Sequence, residues 1–253
     1  SHREETMYKF FVAQDQIDGE NIKIIGEDVN HIVNVLRLML EDQIIVCNKE
    51  NQDKYIASII SEDKDSVCCK IVEKDLISTE STVSVDIYQG LPKADKMEFI
   101  IQKATELGVK NIFPVAMERC IVKLDEKTKN KKLERWNKIA EVAAKQSKRD
   151  VIPQVEDIVN IENICQKVPK YDIILLAYEN EKSNTIKTEL EKLDKTKNLQ
   201  IGVVIGAEGG LSEEEVQRLI DSGAKCITLG KRILRTETAS LVILSDITYV
   251  FEL

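Results

Sequence analysis

Residues 200–215 read QIGVVIGAEGGLSEEE, and this stretch predicts a strand, a loop and a helix in succession. It opens with an apolar run that is typical of a buried strand. The three glycines that follow permit close approach of the backbone to a ligand. Ser212, with Glu215 three residues later, has the capping-box pattern with which many helices begin. A strand, a glycine loop and a helix in succession are typical of an α/β fold with a parallel sheet.

A second glycine loop, LGKRILRTETA, occupies residues 229–239 and again separates a predicted strand from an apolar helix. The amino end of that helix carries the three cations Lys231, Arg232 and Arg235. A helix dipole favours anions at this end, so two explanations stay open. Either a ligand or partner supplies an anion, or Glu208 or Glu237 pairs with the arginines.

Neither loop matches the known glycine motifs for dinucleotides (GxGxxG) or nucleoside triphosphates (GxxxxGK[ST]). Metal catalysis also lacks ligands, because the six cysteines form no CxxC pair and the only histidines are His2 and His31. We therefore predict no metal site, no histidine-based triad and reduced thiols.

The remaining pattern predicts two domains. Strands predicted at 83–89, 111–115, 173–177, 200–205 and 226–229 alternate with amphipathic helices, which favours a parallel sheet covered on both faces. Helices are predicted over about 97–107 and 131–149. Residues 8–77 instead show short alternating runs typical of a small β-barrel, interrupted by a helix predicted over 28–40 with Asp28 as its N-cap. Residues 76–84 are the predicted linker, and residues 1–6, before Met7, are predicted to be a tail outside the fold.

Charge is distributed unevenly along the 253 residues. The chain is 43% apolar and 32% charged. It contains no run of about 18 apolar residues, so no membrane span is predicted. The net charge of −8 argues against a nucleic-acid partner. However, residues 1–78 carry nine cations and sixteen anions, whereas residues 89–149 carry fifteen cations and eight anions. A cationic stripe on the predicted 131–149 helix is either a solvated face or a phosphate-contacting surface.

Several segments together resemble the SPOUT superfamily of knotted methyltransferases, specifically the 16S ribosomal RNA uridine-N3 methyltransferases. The two glycine loops carry most of this resemblance. Other matching segments are QGLPK at 89–93 followed by Lys96, QKATELG at 102–108, ER at 118–119, QS at 146–147 with Arg149 and Pro153, and His31 with VLR at 35–37. Three positions depart from the family pattern: Ala207 replaces the usual proline, Cys120 a small hydroxyl residue and Lys9 an arginine.

The resemblance implies an α/β fold in which residues 80–253 form a SPOUT-type parallel sheet with a deep trefoil knot, and residues 7–75 form a PUA-like RNA-binding β-barrel. It also implies S-adenosylmethionine as cofactor, 16S RNA of the small subunit as substrate, a homodimer and a cytoplasmic location. Two alternatives stay open. One is a knotted methyltransferase that acts on another ribosomal or transfer RNA nucleotide, and the other is a non-catalytic RNA-binding or ribosome-assembly module.

Carried over to this sequence, the family's cofactor loops correspond to Leu175, Leu176, Ala177, Ile205, Gly206, Glu208, Gly209, Gly210, Leu229, Gly230, Ile233, Leu234, Arg235, Thr238 and Ala239. We hypothesise that Arg235 stabilises the uracil anion, assisted by Arg119 or Glu237. The expected RNA contacts are His31, Arg37, Lys93, Lys96, Lys103 and Arg149. For His31, packing within the small domain is an open alternative to RNA contact.

Overall fold

The computed structural model describes residues 7–75 and 78–253, which divide into two compact units. The first unit runs to Thr79 and also includes Lys148–Val151, and the second comprises Glu80–Ser147 and Ile152–Leu253. The tail predicted at residues 1–6, and residues 76 and 77 of the predicted linker, lie outside the described residues.

The first unit is built on a six-stranded sheet. Its elements are β1 (Lys9–Val12), β2 (Ile17–Asp18), β3 (Asn21–Ile25), α1 (Glu27–Asn30), β4 (Gln43–Asn48), β5 (Lys54–Glu62) and β6 (Ser66–Asp75). The strand order is β1-β4-β5-β6-β3-β2, with β1 parallel to β4 and every other pair antiparallel. Buried apolar side chains such as Phe10, Ile24 and Ile44 form its core, so the alternating pattern of the sequence is confirmed.

The helix predicted over 28–40 is wrong in both its start and its length. α1 begins after Gly26, so Asp28 lies in the first turn and is not the N-cap. A π-helical turn follows over His31–Val35, and Arg37 then adopts a φ of +53°. A residue in the left-handed region cannot continue a right-handed helix, so the helix stops although apolar residues continue at helical spacing.

A buried ion cluster holds residues 148–151 within the first unit. Asp150 is 4% exposed and accepts hydrogen bonds from the Lys9 ammonium and, at 2.7 Å, from the Thr79 backbone amide. The Lys54 Nζ lies 3.6 Å from the same carboxylate. Burial alone would raise the pKa of Asp150, but the hydrogen bonds from Lys9 and Thr79 and the positive charges outweigh it and lower the pKa.

The second unit alternates strands and helices. Its elements are β7 (Val83–Gly90), α2 (Lys96–Glu106), β8 (Asn111–Val115), α3 (Glu126–Gln146), β9 (Gln154–Val155), α4 (Ile161–Lys167), β10 (Ile173–Ala177), α5 (Ile186–Glu191), β11 (Leu199–Ile205), α6 (Glu213–Asp221), β12 (Lys225–Ile227) and α7 (Thr236–Glu252).

All six strands of this second sheet are parallel, in the order β12-β10-β11-β7-β8-β9. The predicted parallel α/β sheet is therefore confirmed, and β8 and β10 have the predicted bounds. β12 ends at Ile227, two residues earlier than predicted. Buried aliphatic side chains on both faces of the sheet, such as Ile87 and Val203 on one and Leu176 and Val204 on the other, belong to the core of this unit.

α3 begins five residues before its predicted start and ends before its predicted end. The Asp125 carboxylate accepts a hydrogen bond from the Thr128 amide at 2.8 Å and caps the helix. At the other end the Ser147 hydroxyl bonds to the Ala143 carbonyl oxygen, and Arg149 lies outside the helix. Arg149 is therefore not part of the cationic stripe of α3.

α7 has the apolar character predicted for it and buries Ile243, Leu244 and Ile247 in the core of the second unit. Within residues 7–75 and 78–253, no helix has both the length and the apolarity needed to span a bilayer.

Candidate active site

Four strands of the parallel sheet end at the same level. Gln89 of β7 pairs with Ile205 of β11, Ile205 pairs with Ala177 of β10, and Ala177 pairs with Ile227 of β12. The loops that leave these strands must therefore meet at one edge. In open α/β sheets this carboxyl edge is where ligands bind, at the point where the strand order reverses, here between β7 and β11.

Glycines allow these loops to pack more closely than side chains would permit. A Cβ on Gly90 would lie 2.5 Å from the Ala207 amide nitrogen, and a Cβ on Gly209 would lie 2.9 Å from the Arg119 carbonyl oxygen. Both distances are too short for any side chain. The loops after β7, β8 and β11 are thus packed backbone against backbone.

The first glycine loop is hydrogen-bonded directly to α7, the helix that follows the second glycine loop. The Thr236 hydroxyl, at the start of α7, donates to the Gly206 carbonyl oxygen at 2.6 Å. Residues 228–235 therefore lead from β12, at the edge of the sheet, to the end of β11 beside its centre. The predicted capping box of α6 is also present, with Ser212 and Glu215 as its two members.

One lysine lies between two carboxylates of this edge. Lys96 Nζ lies 3.2 Å from Glu208 Oε1 and 3.8 Å from Glu237 Oε2. The suggested pairing of these glutamates with the loop arginines is therefore wrong. Glu208 also accepts from the Lys93 amide at 2.9 Å, and despite burial its pKa is lowered by these donors. Glu237 Oε2 is buried and accepts no hydrogen bond from any described residue.

The cations of the second glycine loop are exposed. Lys231, Arg232 and Arg235 form no ion pair within the part of the chain that the structure describes. Arg235 is the N-cap of α7 through its backbone and uses no side-chain atom to cap the helix. Its guanidinium is consequently available to a ligand.

The loop after β8 brings Arg119 to the same edge. The buried Glu215 carboxylate accepts hydrogen bonds from the Glu118 amide at 2.7 Å and the Ser212 amide at 2.9 Å, which ties this loop to the first glycine loop. Arg119 Nη1 lies 3.5 Å from the Gly209 carbonyl oxygen. Cys120 is buried beside them, and burial raises the pKa of its thiol, which is therefore neutral near pH 7.

The residues expected to contact the cofactor differ in exposure. Leu175 and Leu176 have no exposed surface inside β10, so Ala177 forms the accessible end of that strand. In the second glycine loop Ile233 is 86% exposed, whereas Leu234 packs against the core. Among the other residues expected to contact the cofactor, Ile205 and Ala239 are buried, Leu229 is partly buried, and Gly230 and Thr238 are exposed.

Of the six residues expected to contact RNA, Lys96 lies between Glu208 and Glu237, and the other five fall into three groups. His31 and Arg37 are exposed on the first unit, where the His31 ring also packs edge-on against Phe10 at 6.3 Å. On the second unit Lys93 is exposed, and Lys103 pairs with Glu106 at 2.9 Å. Arg149, by contrast, is 5% exposed and lies outside any exposed basic surface.

Sequence reasoning gave no separate role to two buried polar side chains at this edge, Gln89 and Glu215. In the sequence Gln89 belongs to the QGLPK segment that resembles the family, and Glu215 is predicted only to be a capping residue. A lone amide at the end of an apolar strand was the available signal for Gln89, since such a group must find partners when buried. Across the described residues, no cluster of His, Cys, Asp or Glu could hold a metal ion.

Comparison with known families agrees with this architecture. A family model described as an RNA methyltransferase domain matches residues 79–248, and one described as an RNA methyltransferase PUA domain matches residues 24–72. The fold and its glycine-lined edge therefore define an RNA methyltransferase.

Relatives give a narrower assignment. The ribosomal RNA small subunit methyltransferase E of Bacillus subtilis is 41% identical over 98% of either chain. The crystal structure of a protein of that name from Neisseria gonorrhoeae, bound to S-adenosylmethionine, has a TM-score of 0.79 and 30% identity, with 97% of this chain and 98% of that chain covered. A Legionella pneumophila structure with the same cofactor has a TM-score of 0.78 and 28% identity, with 96% and 97% covered. The chain belongs to the ribosomal RNA small subunit methyltransferase E family.

Proposed function

We propose that this chain transfers a methyl group from S-adenosylmethionine to N3 of a uridine in the 16S RNA of the small ribosomal subunit. The observation that carries the proposal is the 2.6 Å hydrogen bond between Thr236 and Gly206, because it brings both glycine loops to one edge of the parallel sheet. The name of the Bacillus subtilis relative supports the RNA class, and the cofactor in the Neisseria gonorrhoeae structure supports the methyl donor.

In this proposal residues 80–253 are the SPOUT methyltransferase domain and residues 7–75 are the PUA-like β-barrel that binds RNA. We also propose that the C-terminal stretch forms a deep trefoil knot. Support comes from the path of residues 228–235, which leave an edge strand and return to Gly206 near the centre of the sheet. Such threading is rare among protein folds.

The residues at this edge suit S-adenosylmethionine. Its adenine requires backbone donors and acceptors, which the loops around Gly206 and Gly230 can supply, and its sulfonium and ammonium groups are positive. Glu237 Oε2 is a buried acceptor without a hydrogen-bond donor among the described residues, so it has capacity for a ligand N–H. The other residues proposed to hold the cofactor are Leu175, Leu176, Ala177, Ile205, Glu208, Gly209, Gly210, Leu229, Ile233, Leu234, Arg235, Thr238 and Ala239.

S-adenosylmethionine supplies a methyl group on a positively charged sulfur, which is already a strong electrophile. The chain must therefore align the base and stabilise it as its N3 proton leaves. Arg235 would donate to a uracil carbonyl oxygen and stabilise the developing negative charge. Arg119 would assist from the neighbouring loop, and Glu237 Oε2, which accepts no hydrogen bond from any described residue, would accept from the base N–H. The new N–C bond forms as the C–S bond breaks.

RNA contacts are proposed separately for the two units. His31 and Arg37 would contact RNA on the first unit, and Lys93 and Lys103 on the second. The remaining two of the six expected contacts have other surroundings: Lys96 is held between two carboxylates, and Arg149 is buried.

We propose that the protein acts as a homodimer in the cytoplasm, where ribosomal RNA is located. Support for self-association comes from large apolar side chains that are exposed near the second glycine loop and at the end of α7. Ile233 is 86% exposed, Tyr249 72% and Leu253 93%. Large exposed apolar side chains that adjoin one another mark protein–protein interfaces.

The deciding experiment is methyl transfer from labelled S-adenosylmethionine to small subunits that lack the modification, followed by mapping of the product by mass spectrometry. We expect label at N3 of one uridine in 16S RNA. Label on another ribosomal or transfer RNA nucleotide would favour a knotted methyltransferase of different specificity. Absence of cofactor binding in calorimetry would favour a non-catalytic RNA-binding or ribosome-assembly module.

A further inference from the structure

The side chain of Gln89 lies completely buried between three segments of the candidate site. It is at the end of β7, is 0% exposed, and reaches both the start of α7 and its own following residue. Its Nε2 donates to Thr236 Oγ1 at 2.8 Å and to the Gly90 carbonyl oxygen at 2.9 Å. Its Oε1 lies 3.1 Å from Ser240 Oγ, whose single proton is shared with the Thr236 carbonyl oxygen at the same distance. Every hydrogen of this amide is therefore used.

The hydrogen bonds run in one direction. A threonine hydroxyl has a single proton, and that of Thr236 is donated to the Gly206 carbonyl oxygen at 2.6 Å. Thr236 can therefore only accept from Gln89, and the amide NH₂ supplies the required donor. A carboxylate at position 89 would be an acceptor only, and would compete with Gly206 for the hydroxyl proton.

This chain of bonds fixes residues that the proposed reaction uses. Thr236 is flanked by Arg235 and Glu237, and Gly206 opens the first glycine loop. The distance between the two loops is consequently set by Gln89 and Thr236 through contacts that are complete without any ligand. Buried hydrogen-bond networks hold neighbouring groups in one arrangement.

We propose that Gln89 is a positioning residue that holds the amino end of α7 against the first glycine loop and so preforms the pocket for the methyl donor. This inference rests on the proposed function. A purely structural role would make Gln89 matter for stability alone. A positioning role makes it matter for cofactor affinity at temperatures where the chain is fully folded.

The test compares two substitutions of nearly equal volume, Gln89→Glu and Gln89→Met, with a control in the same unit. Ile164→Val, in the buried part of α4, serves as the control because it lowers stability and none of the network's hydrogen bonds involves α4. Binding of S-adenosylmethionine is measured by calorimetry at least 15 °C below each midpoint of thermal unfolding, together with the single-turnover rate at saturating cofactor. We expect both Gln89 variants to weaken binding about tenfold or more, and Ile164→Val to leave it unchanged.

A second pair covers the case in which the Gln89 variants do not fold. Thr236→Val removes the hydroxyl and Thr236→Ser keeps it, so the inference requires weak binding in the first and near wild-type binding in the second. Cofactor affinity within twofold of wild type in the folded Gln89 variants, or in Thr236→Val, would overturn the inference. Failure of the wild-type chain to bind S-adenosylmethionine at all would instead overturn the proposed function, and the inference with it.

Discussion

At the scale of single residues, the cations at the carboxyl edge of the parallel sheet are of two kinds, paired and unpaired. Lys96 is held by Glu208 and Glu237, whereas Arg235 has no ion pair with any residue that the structure describes. A cation already neutralised by two carboxylates has little attraction left for a developing anion. An unpaired guanidinium beside the glycine loops keeps its full charge, so we assign charge stabilisation to Arg235 and not to Lys96.

Arg235→Ala should therefore lower single-turnover methylation about 100-fold or more, because a directed donor to the developing charge is lost. Cofactor affinity should change only a few-fold, since the backbone of residue 235 still caps α7. Rapid-quench transfer of labelled methyl at saturating cofactor measures the first effect and calorimetry the second. Arg218→Ala is the matched control, because it removes a guanidinium from α6 that pairs only with the exposed Glu214 among described residues. Unchanged single-turnover methylation in Arg235→Ala would remove Arg235 from the mechanism.

A second prediction at this scale concerns Asp150. Its pKa is lowered in the folded chain, so its contribution to stability is complete above the ordinary carboxyl pKa near 4 and is lost as the pH falls below it. Asp150→Asn removes the buried negative charge that Lys9 and Lys54 contact, and should destabilise the first unit by about 3 kcal/mol at pH 7. Hydrogen exchange of the β4 and β5 amides reports this unit alone. The difference between variant and wild type should shrink between pH 4 and pH 2, and a difference independent of pH would contradict the assignment.

At the scale of elements, the first glycine loop depends on the helix that follows it. α6 begins at the capping box of Ser212 and Glu215, and the same Glu215 carboxylate holds the loop that carries Arg119. Ser212→Ala should lower the free energy of unfolding by about 1 kcal/mol, because the hydroxyl that accepts from the Glu215 amide is lost. Urea denaturation measures this, and Ser212→Thr, which keeps a hydroxyl cap, should retain more of the stability. Equal losses in both variants would show that the packing of Ser212, and not its hydrogen bond as a cap, determines the change in the free energy of unfolding.

The elements also show what the sequence could and could not predict. The sequence predicts β8 and β10 to the residue, because each strand contains a short apolar run that follows polar residues. The first turns of α3 were missed, since residues 126–132 are mostly charged and carry no apolar period, and the cap at Asp125 was the only sign. The reversal at Arg37 has no sequence signal, because a non-glycine residue supplies the positive φ. Lys96 bonds to Glu208, which is 112 residues away in the sequence, and partners at such a separation are determined by the topology of the fold.

At the scale of the whole molecule, net charge is a poor guide to the partner. The total of −8 conceals a segment, residues 89–149, in which cations outnumber anions by seven. Several of those cations are engaged within the second unit: Arg135 bonds to Glu98 through two nitrogens, and Lys145 to Glu141. The charge available to RNA is therefore smaller than the count suggests, and Lys93 is its clearest candidate, because it is exposed and its side chain forms no ion pair among described residues.

This leads to a prediction about salt. Binding of small-subunit RNA should weaken as salt rises, because phosphate contacts release condensed counterions. Lys93→Ala should weaken binding at low salt and reduce the slope of log K against log salt by about 1, the value for one lost phosphate contact. Lys187→Ala, on α5, is the matched control: it makes the same change in net charge, and its side chain is 79% exposed and paired with Glu191. Filter binding at four salt concentrations separates the two possibilities. If both variants shift the slope equally, overall charge governs the association, and if neither does, Lys93 makes no phosphate contact.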